Sequence, residues 1–308
     1  MNHWLPTPRR TVNALAGAAI MVVSFWVTPS LAGDPFRPSN PRNIGDKTEA
    51  AFESIFQQGD YQAAKDYLQQ AEASEGTDPL VYAMLAAIAY TERELETLNI
   101  YATKTKTTAE QLIASDPLRG NLYTAVGHFL EGTYNFEKEG PVRALSKLQK
   151  VFQYLDAAKD IDGEDPELNL LIGHMDLMLA VNVPFADPAD AIEKLETHGY
   201  PKYLTYRGIA VAYRDLKKYN QAMDYVERAL AMTPDNPEVL YLKAQILVHQ
   251  DKPETALEYF KKALEKRQQL PNYSTGQIVY EQCKAQEEVD NVDRDCRAER
   301  NRAREGNY

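Results

Sequence analysis

The chain has 308 residues, 44% hydrophobic and 26% charged, enough apolar material for a sizeable core or for several stacked units, and this argues against extensive disorder. With 34 Lys and Arg against 45 Asp and Glu, the formal net charge is −11. Such a surface repels phosphate backbones and anionic lipid, which argues against nucleic acid as a partner and favours neutral or basic proteins and peptides.

Residues 1–32 differ from the rest. Arg9 and Arg10 precede an apolar run from Ala14 to Val27, Pro29 breaks it, and Ser30-Leu31-Ala32 ends in small residues before Gly33. That order is the pattern of a cleaved signal peptide. An uncleaved anchor is the alternative, but a run of about 14 residues falls short of the roughly 20 that cross a bilayer. The paired arginines are followed by Thr11-Val12-Asn13, without the apolar pair of a twin-arginine signal, and no cysteine near the cleavage point could take a lipid. Cleavage removes two arginines and no acids, so the mature charge becomes −13. The expectation is an exported chain with no integral membrane span, in the periplasm first, with the thylakoid lumen or the extracellular space as alternatives.

Residues 33–44, GDPFRPSNPRNI, carry three prolines and read as an extended linker. From Asp46 onward, apolar residues recur at spacings of three and four, and no alternating run suggests a strand. The reading is all-α. Helix starts recur as Asp78-Pro79, Asp116-Pro117, Asp165-Pro166, Asp187-Pro188 and Asn236-Pro237. In each, the Asx side chain can cap the helix and proline tolerates its first turn.

Two stretches align on each other at an offset of 34 residues. Tyr213 pairs with Leu247, Ala222 with Ala256, Val226 with Phe260, and Ala229 with Ala263. A period of this length built from two helices resembles the tetratricopeptide repeat family. The unit 203–236 is similar to that family's pattern at Tyr206, Ile209, Ala210, Tyr213, Ala222, Val226, Ala229 and Pro234. The unit 237–270 follows at Leu240, Ala244, Leu247, Ala256, Phe260 and Ala263, and departs at Lys243 and Gln268. A third recognisable unit, 45–78, has Ala64, Leu68 and Ala71 in place, with Phe52 where a small residue belongs. Residues 79–115, 117–162 and 166–198 read as looser helix pairs.

The resemblance implies an α-α superhelix of five or six pairs over 45–270, of the kind found in exported bacterial, cyanobacterial-type proteins, closed by a capping helix and charged tail at 271–308. It also implies that the first helices line a concave groove for a protein partner. The family's groove positions fall on Tyr123, on Leu170, His174 and Leu177, on Arg207, Val211 and Arg214, and on Tyr241, Gln245 and Val248. Val211 and Leu242 stand where some members place asparagines that grip a terminal carboxylate, so that clamp is absent.

Only Cys283 and Cys296 are present. In an exported chain they are expected to form a disulfide, with two free thiols as the alternative. No nucleotide, metalloprotease or nucleophile-elbow motif occurs. His128, His174, His198 and His249 are scattered without ligand spacing. The acidic loop Asp160-Ile161-Asp162-Gly163-Glu164-Asp165 has its glycine at the fourth place rather than the sixth, so it is not read as a calcium loop. No catalytic residue, metal or cofactor is expected, and the chain is read as a scaffold rather than an enzyme. The alternatives are a small-molecule carrier or sensor, which needs a closed apolar cavity, and a structural part of an envelope or photosynthetic-membrane assembly that docks through the C-terminal helix.

Overall fold

The computed structural model describes residues 33–182 and 188–307. The expected signal peptide, residues 1–32, and Asp187 of the fourth Asx-Pro start lie outside them. The described residues contain fourteen α-helices and no strand. They follow one another as seven pairs: α1 (Asp46–Phe52) with α2 (Tyr61–Ser74), α3 (Pro79–Thr91) with α4 (Leu95–Leu112), α5 (Pro117–Glu139) with α6 (Pro141–Lys159), α7 (Pro166–Asn182) with α8 (Ala189–His198), α9 (Lys202–Asp215) with α10 (Tyr219–Met232), α11 (Pro237–His249) with α12 (Pro253–Glu265), and α13 (Asn272–Asp290) with α14 (Cys296–Arg304). A π-helical turn, Glu53–Gln58, extends α1. None of these helices is long and apolar enough to cross a membrane.

The Asx-Pro starts are helix caps. Asp78 accepts from the Leu80 N–H at 2.9 Å, Asp116 from Arg119 at 3.0 Å, Asp165 from Leu168 at 2.8 Å and Asn236 from Glu238 at 2.9 Å. Each satisfies a donor that the first turn leaves orphaned, an effect of about 1 kcal/mol. The turn between paired helices also repeats. Gly59, Arg93, Lys217 and Asp251 all adopt left-handed backbone, with φ between 58° and 70°. The small residues of the repeat sit where helices cross: Ala210, Ala222, Ala229, Ala244, Ala256 and Ala263 have no exposed surface, and Phe260 fills the space beside them. Tyr206 and Tyr213 pack partly buried against the same cluster, while Pro234 is exposed in the turn after α10.

The segment 33–44, expected as an extended linker, packs onto the helices: Phe36 and Ile44 are buried and Asp34 holds the Phe36 and Arg42 N–H groups at 2.9 and 3.1 Å. The segment carries two large apolar side chains among its prolines, and burying them outweighs its extended local preference. In the segment expected as a capping helix and charged tail lie α13 and α14. They form the seventh pair, with Arg304 over the Tyr273 ring at 4.0 Å and Arg300 over Tyr280 at 5.3 Å.

The first pair returns to the sixth. Asn236 Nδ2 donates to the Phe56 and Gln57 carbonyls, each at 3.2 Å, and Tyr61 Oη donates to Glu238 at 2.9 Å. Gly59 must be glycine for this contact as well as for its φ of 70°, since an added Cβ would stand 2.7 Å from Pro237 Cδ.

Gly59→Ala is therefore expected to cost about 1–3 kcal/mol, read by urea denaturation, whereas Lys217→Ala at the matching turn should cost little. A loss no larger than that of Lys217→Ala would show that the first and sixth pairs do not depend on each other. The structure brings Cys283 and Cys296 together with Cα atoms 5.5 Å apart, a spacing that a disulfide spans. Non-reducing peptide mapping of the purified chain should recover the Cys283–Cys296 peptide, and recovery of two alkylatable thiols would refute the link.

Candidate functional site: an apolar cavity inside the helical array

Because the first pair docks on the sixth, the first helices of successive pairs face inward on one another. Phe52 and Phe56 of the first pair, Met84 of α3, Phe129 of α5, Leu170 of α7 and Leu204 of α9 all face a cavity of about 390 Å³, and Phe36 of the N-terminal segment joins them. Among the described residues, Tyr123 and His174 are the lining residues with a polar side chain. A second cavity, also of about 390 Å³, shares Phe56, His174, Met178 and Leu204 with the first and adds Arg207 and Asp215.

Both polar groups of the apolar cavity are committed elsewhere. Tyr123 Oη donates to Glu167 at 2.6 Å. Glu167 is fully buried, and its other oxygen takes Arg42 at 2.7 Å and Arg119 at 3.2 Å. Arg119 also reaches Asp78 at 3.1 Å, and Asp165 accepts from Arg37 and from Arg42. This cluster joins the N-terminal segment to α3, α5 and α7 and neutralises every buried charge in it. Burial opposes the charge on Arg119, but the neighbouring Glu167 and Asp78 raise its pKa well above the ordinary value, so it stays a cation. His174 Nδ1 lies 2.7 Å from the Leu170 carbonyl, and its ring packs over Gly208. Since a carbonyl only accepts, Nδ1 carries the proton. Burial holds the His174 pKa below its ordinary value.

The structure brings together most of the residues expected to face a groove. Tyr123, Leu170, His174, Leu177, Arg207 and Val211 all line one cavity or the other. Phe52 and Phe56 of the first pair form part of the wall of that concave space. Arg207 pairs with Glu238 at 3.1 Å beside Tyr61. Arg214 binds Gln245 at 2.6 Å and Asp215 at 2.8 Å; Gln245 in turn donates to Glu281 at 2.9 Å, and Glu281 sits beside Tyr241. These side chains lock neighbouring pairs together. Among the described residues no group of three His, Cys, Asp or Glu is placed to hold a metal.

Sequence reasoning missed Phe36, Phe52, Phe56, Phe129 and Met178. Phe52 carried a signal, since an aromatic ring stands where the repeat wants a small residue. Its ring packs on Phe36 at 4.8 Å and Phe56 at 4.7 Å, at the edge of the cavity rather than in a helix crossing.

The depressed pKa of His174 sets a sign for pH dependence. The unfolded chain binds a proton at His174 below about pH 6.5 while the folded chain does not, so stability is complete above that pH and falls as the pH drops below it. Denaturation at pH 7.5 and 5.5 should show a loss that His174→Gln reduces, by at most about 1.4 kcal/mol per pH unit. An equal loss in the variant would place the titration elsewhere, with His128, also lowered by burial, as the next group to change.

Residues 213–277, from the end of α9 into α13, match the model of a tetratricopeptide repeat family. Among solved structures, the chain is similar to one in the crystal structure of the APC/C hetero-tetramer Cut9–Hcn1, at 16% identity and a TM-score of 0.34. That alignment covers 73% of this chain and 47% of the other, so this chain spans about half the length of that one. A search of curated proteins finds no match. The segment in which the 34-residue period is clearest is thus the segment that matches the tetratricopeptide repeat.

Proposed function

We propose that the chain is a helical-repeat scaffold that binds a protein partner and performs no catalysis. The observation that carries this reading is an exposed apolar stripe on the α5–α6 hairpin. These two helices run to 23 and 19 residues, against 13 or 14 for each helix of the fifth and sixth pairs, so the hairpin tip reaches beyond the packed array. At that tip Phe136 is 55% and Val142 78% exposed, and on the same two helices Phe129, which lines the cavity, and Phe152 are also exposed. Water-facing aromatic and aliphatic side chains gathered on one element mark a surface that a partner covers.

The tetratricopeptide match at 213–277 supports a role in protein interaction. The inward-facing groups favour the hairpin over the concave side, since Tyr123, Arg207, Arg214 and Gln245 already hold internal partners. The acidic net charge favours a neutral or basic protein and disfavours nucleic acid. Residues 1–32 and the juxtaposed cysteines support action outside the cytoplasm, in the periplasm first.

Crosslinking of the chain in its native exported fraction, followed by mass spectrometry, tests the site. The double variant Phe136→Ser, Val142→Ser should lose the principal crosslinked protein while its melting temperature stays within about 2 °C of the parent, because neither side chain is buried. Retention of that crosslink in the hairpin variant, with its loss on Arg207→Glu and Arg214→Glu, would return the partner to the concave side.

A further inference from the structure

The first cavity is an unassigned feature with the dimensions of a ligand site. Its volume of about 390 Å³ falls within the roughly 300–1,000 Å³ of small-molecule pockets. Its walls are aromatic and aliphatic side chains, so a ligand that covers them removes apolar surface from water. Water inside it finds few partners among the described lining residues, since the Tyr123 hydroxyl and His174 Nδ1 are already bonded to Glu167 and Leu170. The cavity also has a way in, since Phe129 and Met178 line it and are 36% and 43% exposed.

We propose that this cavity binds an uncharged lipophilic small molecule, held by shape and apolar contact. Among the described residues, the lining of this cavity offers no cation to an acidic headgroup. The nearest charges, Arg207 and Asp215 beyond His174, are paired with Glu238 and Arg214. A carboxylate drawn into such surroundings loses its hydration without gaining a partner, whereas a neutral hydrocarbon or alcohol exchanges water for aromatic and aliphatic walls. The site is independent of the hairpin tip, so the two assignments fail separately.

N-phenyl-1-naphthylamine, an uncharged fluorophore, is the probe. Titrated into the purified chain, it should bind saturably at one site with a blue-shifted emission, and dodecanol should displace it at concentrations at which laurate does not. Filling the cavity with Ala83→Leu and Ala87→Phe should weaken probe binding about tenfold or more; these residues line the site and are not fully buried. The single variant Ala87→Leu, a milder filling, should show a smaller loss in the same direction with an unchanged helical circular dichroism spectrum. Phe136→Ser should bind the probe as the parent does. Absence of saturable binding, unchanged binding in both filled variants, or loss of binding in Phe136→Ser would overturn the cavity assignment. Displacement by laurate as readily as by dodecanol would overturn the uncharged class.

Discussion

The side chain of Asn236 is the point on which the architecture turns. Its Oδ1 accepts from the N–H groups of Glu238 and Val239, capping α11, and its Nδ2 donates to the carbonyls of Phe56 and Gln57. Those carbonyls end the π-helical turn after α1 and, like all helix C-terminal carbonyls, need donors from outside the helix. One carboxamide that is 1% exposed therefore satisfies a helix start in the sixth pair and a helix end in the first. Removing either side leaves buried polar groups without partners, the costlier direction of hydrogen-bond loss.

The apolar space between the first helices is shaped by that contact. Stacked helix pairs turn progressively and present their first helices to a concave face. Here the π-helical turn after α1 and the start of α2 meet the start of α11, so the concave face becomes a pocket wall. The second fastening is the Arg37, Arg42 and Arg119 cluster on Asp78, Asp165 and Glu167. It holds the N-terminal segment across the array and sets Phe36 at the cavity. Asp78 and Asp165 act as helix caps and as ion partners at once, which makes the caps part of the tertiary framework.

The two surfaces open to ligands differ in chemistry for this reason. Among the described residues the lining of the first cavity is hydrocarbon apart from Tyr123, bonded to Glu167, and a histidine whose pKa burial lowers. Outside, the long α5–α6 hairpin carries Phe136 and Val142 into solvent. The exposed apolar side chains of that hairpin thus lie on a different element from the apolar lining of the cavity.

Much of this was legible in the amino-acid order. Asp78, Asp116, Asp165 and Asn236 announced their helices because capping is a contact between residues two or three apart. The alanines at 210, 222, 244 and 256 announced the helix crossings because only small side chains let two backbones approach there. The inward direction of Tyr123, Leu170, His174 and Arg207 followed from the repeat's phase. What those residues face was not legible. Arg207 meets Glu238 and Tyr61, the latter 146 positions away in the sequence, and Phe36 meets Phe52 only because the N-terminal segment folds back. By itself the sequence determined the helices, their pairing and the repeat period, all set by contacts within about 34 residues. Only the tertiary structure decided that the superhelix closes, because that outcome depends on the summed small rotations of successive pairs and on a few long-range polar contacts at the seam.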